Sequence, residues 1–270
     1  MIGSISLLVM IISITPMHAV TPSSCTMGMS ISMITPKPRA FISKAREPGM
    51  NILQKALWAA CTEELPASTS CFQALVICTA WDTPMEKIRQ QYLQVQQAAK
   101  EIAPDLRLIL GCEFHANLDM VETLNAGKRP TMGDTRFVLT EFSEAHDFRF
   151  IQERCYELIS NGYEPIIAHA ERYPVIRKNL EHLEQLVDMG AYIQMNADSI
   201  SGVEGWGMKR FCKKVMKQNL LHFVGSDAHN TGDRKPQMGR CAQYMEKTMG
   251  REYTDKILIR NPREIIEEGR

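Results

Sequence analysis

At 270 residues with 44% apolar side chains, the chain is long for a single sandwich but ordinary for one α/β barrel built around one substantial core. Its 31 Lys and Arg balance 31 Asp and Glu, so no global field exists to concentrate a polyanion, and nucleic acid is excluded as the expected partner. Eight cysteines without a Cys-x-x-Cys pair exclude a zinc ribbon and a disulfide framework and fit a reducing cytoplasm.

The amino terminus is uncharged up to Lys37. Its apolar run over 6–12 has two readings. It is the core of a signal peptide without a preceding basic residue, or it is a buried strand of the Ile- and Val-rich kind that suits a parallel sheet. Either way it is too short to span a bilayer. Residues 73–79 read as a strand. The spacing of Ile88, Tyr92, Val95, Ala99 and Ile102 predicts a helix over 85–103, stopped by Pro104. Strands follow over 106–111 and 136–141. A helix over 148–160 ends near Gly162, and a strand covers 164–169. The alternation continues with a helix over 180–189 ended by Gly190, a strand over 191–196, a helix over 207–218 and a strand over 221–226. Asn261 and Pro262 then cap a terminal helix over 263–268. Such βαβα order predicts a largely parallel sheet covered by helices. Residues 1–71 form an atypical segment, disordered or replacing the first barrel strand, and residues 72–270 form one domain.

Residues able to bind metal recur where these strands end. Glu113 follows the apolar run 108–110, His169 follows Ile166 and Ile167, and Asp227 and His229 follow Phe223 and Val224. Active-site groups of parallel barrels converge at strand ends. Residues two apart on an extended segment point the same way, so Asp227 can share a face with His229, and Glu113 with His115. Mixed imidazole and carboxylate donors suit Mn, Fe or Zn. Singly, each residue has a plainer reading: Glu113 a solvated carboxylate, His169 a hydrogen-bonded histidine, Asp227 a helix cap. His115 is either a ligand or a partner that orients one. His146, His182 and His222 are assigned to surface or core. Cys78 and Cys112 lie beside apolar strand runs, as small buried hydrophobes rather than nucleophiles.

Four blocks carry a family resemblance: residues 111–115 (Gly-Cys-Glu-Phe-His), 133–142, 168–173 (Ala-His-Ala-Glu-Arg-Tyr) and 225–230 (Gly-Ser-Asp-Ala-His-Asn). In order and spacing the chain, over roughly 72–248, resembles the PHP-superfamily bacterial protein-tyrosine phosphatases of the capsular and exopolysaccharide type. The resemblance implies a distorted parallel β/α barrel around a cluster of divalent metals, usually manganese, that hydrolyses phosphotyrosine without a cysteine intermediate. It implies Glu113, His169, Asp227 and His229 as metal ligands, and Arg172 and Arg234 as the basic residues that hold the substrate phosphate. The plainer reading of Arg172 is a salt bridge with Glu171 or another surface carboxylate, and that of Arg234 an exposed loop cation. The implied partner is a phosphotyrosyl protein, a bacterial tyrosine kinase. Localisation in the cytoplasm without firm membrane association is expected.

The resemblance fails at the amino terminus. The family pattern opens with a His-x-His strand, a Gly-x-Asp-Asp-Gly turn and a second strand ending in Thr-Pro-His, and none of these occurs here. Ala80 and Trp81 stand where Pro and His are expected, and the only upstream histidine is His18. The expected cluster is therefore incomplete and activity impaired. The leader reads as substituted or out of frame. Two further readings compete: a small-molecule phosphomonoesterase of the same superfamily, for example one acting on histidinol phosphate, and a catalytically silent phosphate-binding protein.

Overall fold

The computed structural model describes residues 6–13, 71–78, 84–102, 108–228 and 238–268. Strands β1 (Ser6–Ser13) and β2 (Cys71–Cys78) precede helix α1 (Met85–Ile102). β1 pairs antiparallel with β2. The apolar amino-terminal run is thus a strand, but not the parallel one its composition suggested.

The strand expected over 106–111 is seen as two short ones, β3 (Leu110–Gly111) and β4 (Glu113–His115). The break at buried Cys112 lets the chain change partners, because β3 pairs with β2 whereas β4 pairs with β5 (Phe137–Glu141). After β4 comes α2 (Met120–Asn125), and after β5 comes α3 (Phe148–Ser160). Asp147 caps α3 by accepting the Phe150 N–H at 2.8 Å, satisfying a donor the first turn leaves open.

The remaining order is β6 (Glu164–Ile167), α4 (Pro174–Lys178), α5 (Glu181–Met189), β7 (Tyr192–Asn196), α6 (Ala197–Ser201), α7 (Trp206–Lys217) and β8 (Phe223–Gly225). Helices α8 (Met238–Met249), α9 (Arg251–Asp255) and α10 (Asn261–Glu268) close the described chain. α5 ends where its periodicity predicts, at Gly190 with φ 108°, a conformation only glycine adopts freely. Asn261 is not the expected cap. Its backbone is helical, continuing the π turn Lys256–Arg260, and its side chain donates to the His222 carbonyl at 2.9 Å.

β4, β5, β6, β7 and β8 form a parallel sheet in that order. All five carboxyl ends therefore lie along one edge. The two sheets approach each other at both sides, β2 against β4 and β1 against β8. Alternation along β5 separates two apolar layers. Phe137 and Leu139 join Met132, Ile166, Phe223 and Ile265 on one face. Val138, Ile167, Ile193 and Val224 face Ile151, Leu158, Leu183 and Val215 from the helices. Both faces are covered, which explains why β5 is buried from Phe137 to Thr140. Truncating a fully buried aliphatic such as Ile151 costs about 2–5 kcal/mol. Among the described residues no helix is long and apolar enough to cross a membrane.

Candidate metal centre

The common edge of the parallel sheet gathers the polar strand ends. Glu113 and His115 project from β4 toward the same side, and register places His115 opposite Glu141, the last residue of β5. β6 stops at Ile167, two residues earlier than expected, because His169 adopts a left-handed backbone with φ 34°. That turn swings the imidazole back over the edge. Its Nε2 lies 3.1 Å from Glu113 Oε1 and 3.3 Å from Glu141 Oε1. Glu113, Glu141 and His169 thus each offer one donor atom, all within 4.8 Å of one another. His115 Nδ1 stands 3.4 Å from the other oxygen of Glu141.

The electrostatics of the trio favour a cation at its centre. Burial works against a charged His169, yet Glu113 and Glu141 overcome it and raise the imidazole pKa to about 10. Glu141 is lowered in turn, by its hydrogen bond to His169 against the opposing effect of burial. Two adjacent carboxylates, the Glu113 side chain only 10% exposed, need a positive charge between them. A cation at His169 Nε2, proton or metal, supplies it. The donor set of two carboxylate oxygens and one imidazole nitrogen fits a divalent transition metal, which would take the place of the Nε2 proton.

Buried hydrogen bonds hold His169 in place. The Tyr173 hydroxyl, 3.3 Å from His169 Nδ1, donates to the Ala168 carbonyl at 2.9 Å and accepts the Phe142 N–H at 3.0 Å. It ties the ends of β5 and β6 together. The His169 N–H donates to Gln194 Oε1 at 2.6 Å. Gln194 Nε2 donates to Asn196 Oδ1 at 3.0 Å, and Asn196 Nδ2 donates to Asp227 Oδ2 at 3.0 Å. Gly225 makes this chain possible, since a Cβ there would stand 2.5 Å from Gln194 Nε2.

Asp227, expected as a ligand, leaves β8 with a left-handed φ of 48° and ion-pairs with Arg172 Nη1 at 2.7 Å. It joins the trio through the Asn196 and Gln194 amides rather than as a fourth donor in the same cluster. Arg172, expected to hold phosphate, also contacts Glu204 at 3.2 Å. Its guanidinium is thus engaged by two carboxylates at the edge of the site. Beneath it, the Asn196 N–H and the Ser199 hydroxyl both reach Glu171 Oε1, at 2.9 and 2.6 Å, and burial pushes the Glu171 carboxyl above the usual carboxylate range. His229 and Arg234 lie outside the described residues, as do His18, Ala80 and Trp81.

Glu141 is the residue that sequence reasoning did not choose. It ends an apolar strand just as Glu113 does, and the interval from Glu113 to Glu141 equals that from Glu141 to His169. Applying the strand-end argument to every strand would have found it. Gln194 and Asn196 carried no comparable signal, because amides at strand ends are commonplace. Cys112 is buried, as expected, and Cys155, Cys212 and Cys241 are likewise free and buried, burial pushing the Cys155 thiol up to about 12. His182 stacks on Phe148, with ring centroids 3.8 Å apart. His222 sits against Tyr192.

Fold and site together define an α/β protein with a carboxylate–imidazole centre at the carboxyl edge of a parallel sheet. The profile of the family described as "Capsular polysaccharide synthesis, CpsB/CapC" matches residues 76–267, and the chain belongs to that family. It is 36% identical over 191 residues to the tyrosine-protein phosphatase CpsB of Streptococcus pneumoniae, covering 69% of this chain and 79% of the relative. It is 35% identical over 168 residues to the tyrosine-protein phosphatase YwqE of Bacillus subtilis, covering 60% and 66%. Among solved structures it resembles one from a study of YwqE and CpsB, described there as unique metal-dependent tyrosine phosphatases. The TM-score is 0.60 at 30% identity, covering 65% of this chain and 74% of the other.

Proposed function

We propose that the chain hydrolyses phosphotyrosine on a protein with a bound divalent cation, manganese by the family resemblance. The substrate is a bacterial tyrosine kinase that regulates capsular or exopolysaccharide synthesis in the cytoplasm. The observation that supports this most is the convergence of Glu113, Glu141 and His169 at one sheet edge, in a chain whose named relatives are tyrosine phosphatases.

Glu113 and Glu141 would hold the cation by oxygen and His169 by Nε2. The bound cation supplies an acidified water and neutralises phosphoryl oxygens. The chain's own groups do the rest. His115, 3.4 Å from Glu141, steadies that carboxylate. Arg172 offers paired N–H donors to the phosphate, exchanging its contact with Asp227 for the substrate oxygens. Asp227, once Arg172 releases it, and by sequence position His229 would supply donors from the last strand for a further cation beside the trio, and Arg234 would add a second positive side chain for the phosphate. β1 contains no His, Asp or Glu, so fewer protein groups anchor the centre than the family pattern provides. Weak metal affinity and reduced turnover are the expected consequence.

Substrate preference tests this reading. The metal-loaded protein is expected to release phosphate from a phosphotyrosyl peptide with a kcat/KM well above that for histidinol phosphate. The reverse order would establish a small-molecule phosphatase, and no hydrolysis of either would establish a silent binding protein.

A further inference from the structure

Among the described residues outside the centre, one face of α7 stands apart in its charge. Trp206–Lys217 contains Lys209, Arg210, Lys213, Lys214 and Lys217 and no acidic residue, in a chain whose charges balance overall. Its inner side is buried through Cys212, Val215 and Met216. Helical spacing stacks Trp206, Arg210, Lys213 and Lys217 along the opposite side, and all four are exposed. Lys209 is committed elsewhere, with Nζ 3.0 Å from the Ser201 carbonyl and 3.9 Å from the Tyr244 ring centroid.

The Trp206 side chain is 74% exposed. A large aromatic left in water is an apolar surface awaiting contact. Arg210 lies over its ring, 5.4 Å from the centroid, which adds a cation to that platform. The stripe also begins beside the candidate centre. Glu204, two residues before Trp206, binds Arg172, and α7 packs against the turn Ala170–Arg172. A phosphoryl group held by Arg172 therefore leaves its neighbouring residues close to Trp206, with the cations leading away along the helix.

We infer that Trp206, Arg210, Lys213 and Lys217 form a docking surface for an acidic peptide segment flanking the phosphotyrosine. This rests on the phosphatase reading for its substrate, while the surface stands on charge and exposure alone. Positive charges without interspersed acids complement carboxylates. Position next to Arg172 favours a segment of the substrate over a lipid surface, which would have no reason to lie beside that residue.

The test uses the full chain with manganese and two phosphotyrosyl peptides of equal length, one flanked by Glu and one by Gln. p-Nitrophenyl phosphate serves as the flank-free control. The acidic peptide is expected to have a kcat/KM roughly tenfold higher, chiefly through KM, with the advantage fading as salt rises. Combining Arg210→Glu, Lys213→Glu and Lys217→Glu should abolish that advantage, and Trp206→Ala should raise KM for both peptides, each leaving p-nitrophenyl phosphate hydrolysis unchanged. Equal kcat/KM for the two peptides overturns the inference. So does association of the helix face with phosphatidylserine vesicles in the absence of any peptide preference. Anisotropy of the fluorescein-labelled acidic peptide separates the two levels of the argument. Binding lost in the charge-reversed variant supports the surface even without turnover, which would instead overturn the phosphatase reading. No binding overturns the surface even if both peptides are hydrolysed.

Discussion

The Tyr173 hydroxyl lies 3.3 Å from His169 Nδ1 and gives its one proton to the Ala168 carbonyl 2.9 Å away. Its oxygen can then meet Nδ1 only as an acceptor, so the proton of this pair belongs to Nδ1. Nε2, facing Glu113 and Glu141, is left as the nitrogen that exchanges a proton for a metal. Orienting groups of this kind typically govern metal affinity about 10–100-fold. Tyr173→Phe is expected to weaken manganese binding by that order in calorimetric titration. It should also lower stability by about 1–3 kcal/mol, since the Phe142 N–H loses its buried partner. Unchanged metal affinity in a destabilised variant would reduce Tyr173 to a packing role.

Gly225→Ala probes the chain from His169 to Asp227. The new Cβ would stand 2.5 Å from Gln194 Nε2, so Gln194 must move and release the His169 N–H. A loss of roughly 1–3 kcal/mol is expected, together with weaker metal binding. Gln194→Leu should reproduce the metal defect without overpacking. Full metal affinity in both variants would show that the left-handed turn at His169 holds without its amide partner.

The pH dependence follows from the raised pKa of His169. Its folded value of about 10 exceeds the ordinary imidazole value of 6.5, so the protonated imidazole stabilises the metal-free fold fully below about pH 6.5. That contribution is lost as pH rises toward 10. Glu141 has the opposite sign. Its folded pKa lies below the ordinary glutamate value of 4.5, so its contribution is present above that value and fades as acid protonates it. Metal at Nε2 must displace a proton. Urea midpoints of the metal-free chain should therefore fall from pH 6.5 to 9, and calorimetry in buffers of different ionisation enthalpy should show net proton release on metal binding. A flat alkaline limb and no proton release would contradict the assigned role of His169.

Much of this was legible before the fold was known, for identifiable reasons. The helix Phe148–Ser160 was readable from Ile151, Cys155 and Leu158 at helical spacing, and Gly190 marked the end of Glu181–Met189. Glu113 and His169 could be chosen because polar residues interrupt apolar strand runs. The split at Cys112 could not be read, because leaving one sheet for another changes neighbours without changing local hydropathy. Nor could the engagement of Arg172 by Asp227 and Glu204, which depends on contacts between residues distant in sequence. Asn261 looked like a cap because Asn before Pro commonly is one. Here the preceding π turn already supplied the helix, and the side chain bonded to His222 instead.

Thiol chemistry provides a separate check. Cys112, Cys155, Cys212 and Cys241 are buried, and burial pushes Cys155 up to about 12, far from the thiolate a nucleophile requires. Mild iodoacetamide treatment should leave hydrolysis and metal content unchanged. Inactivation with metal retained would point to a cysteine step.

The most direct test is to follow phosphate release from a phosphotyrosyl peptide while titrating manganese into the metal-free protein, with Glu141→Gln and His169→Ala alongside. Wild-type activity should rise with metal occupancy and vanish with a chelator. His169→Ala should abolish it, and Glu141→Gln should reduce it at least about tenfold while weakening binding. Hydrolysis that persists with chelator, or at wild-type levels in either variant, would contradict a centre built from Glu113, Glu141 and His169.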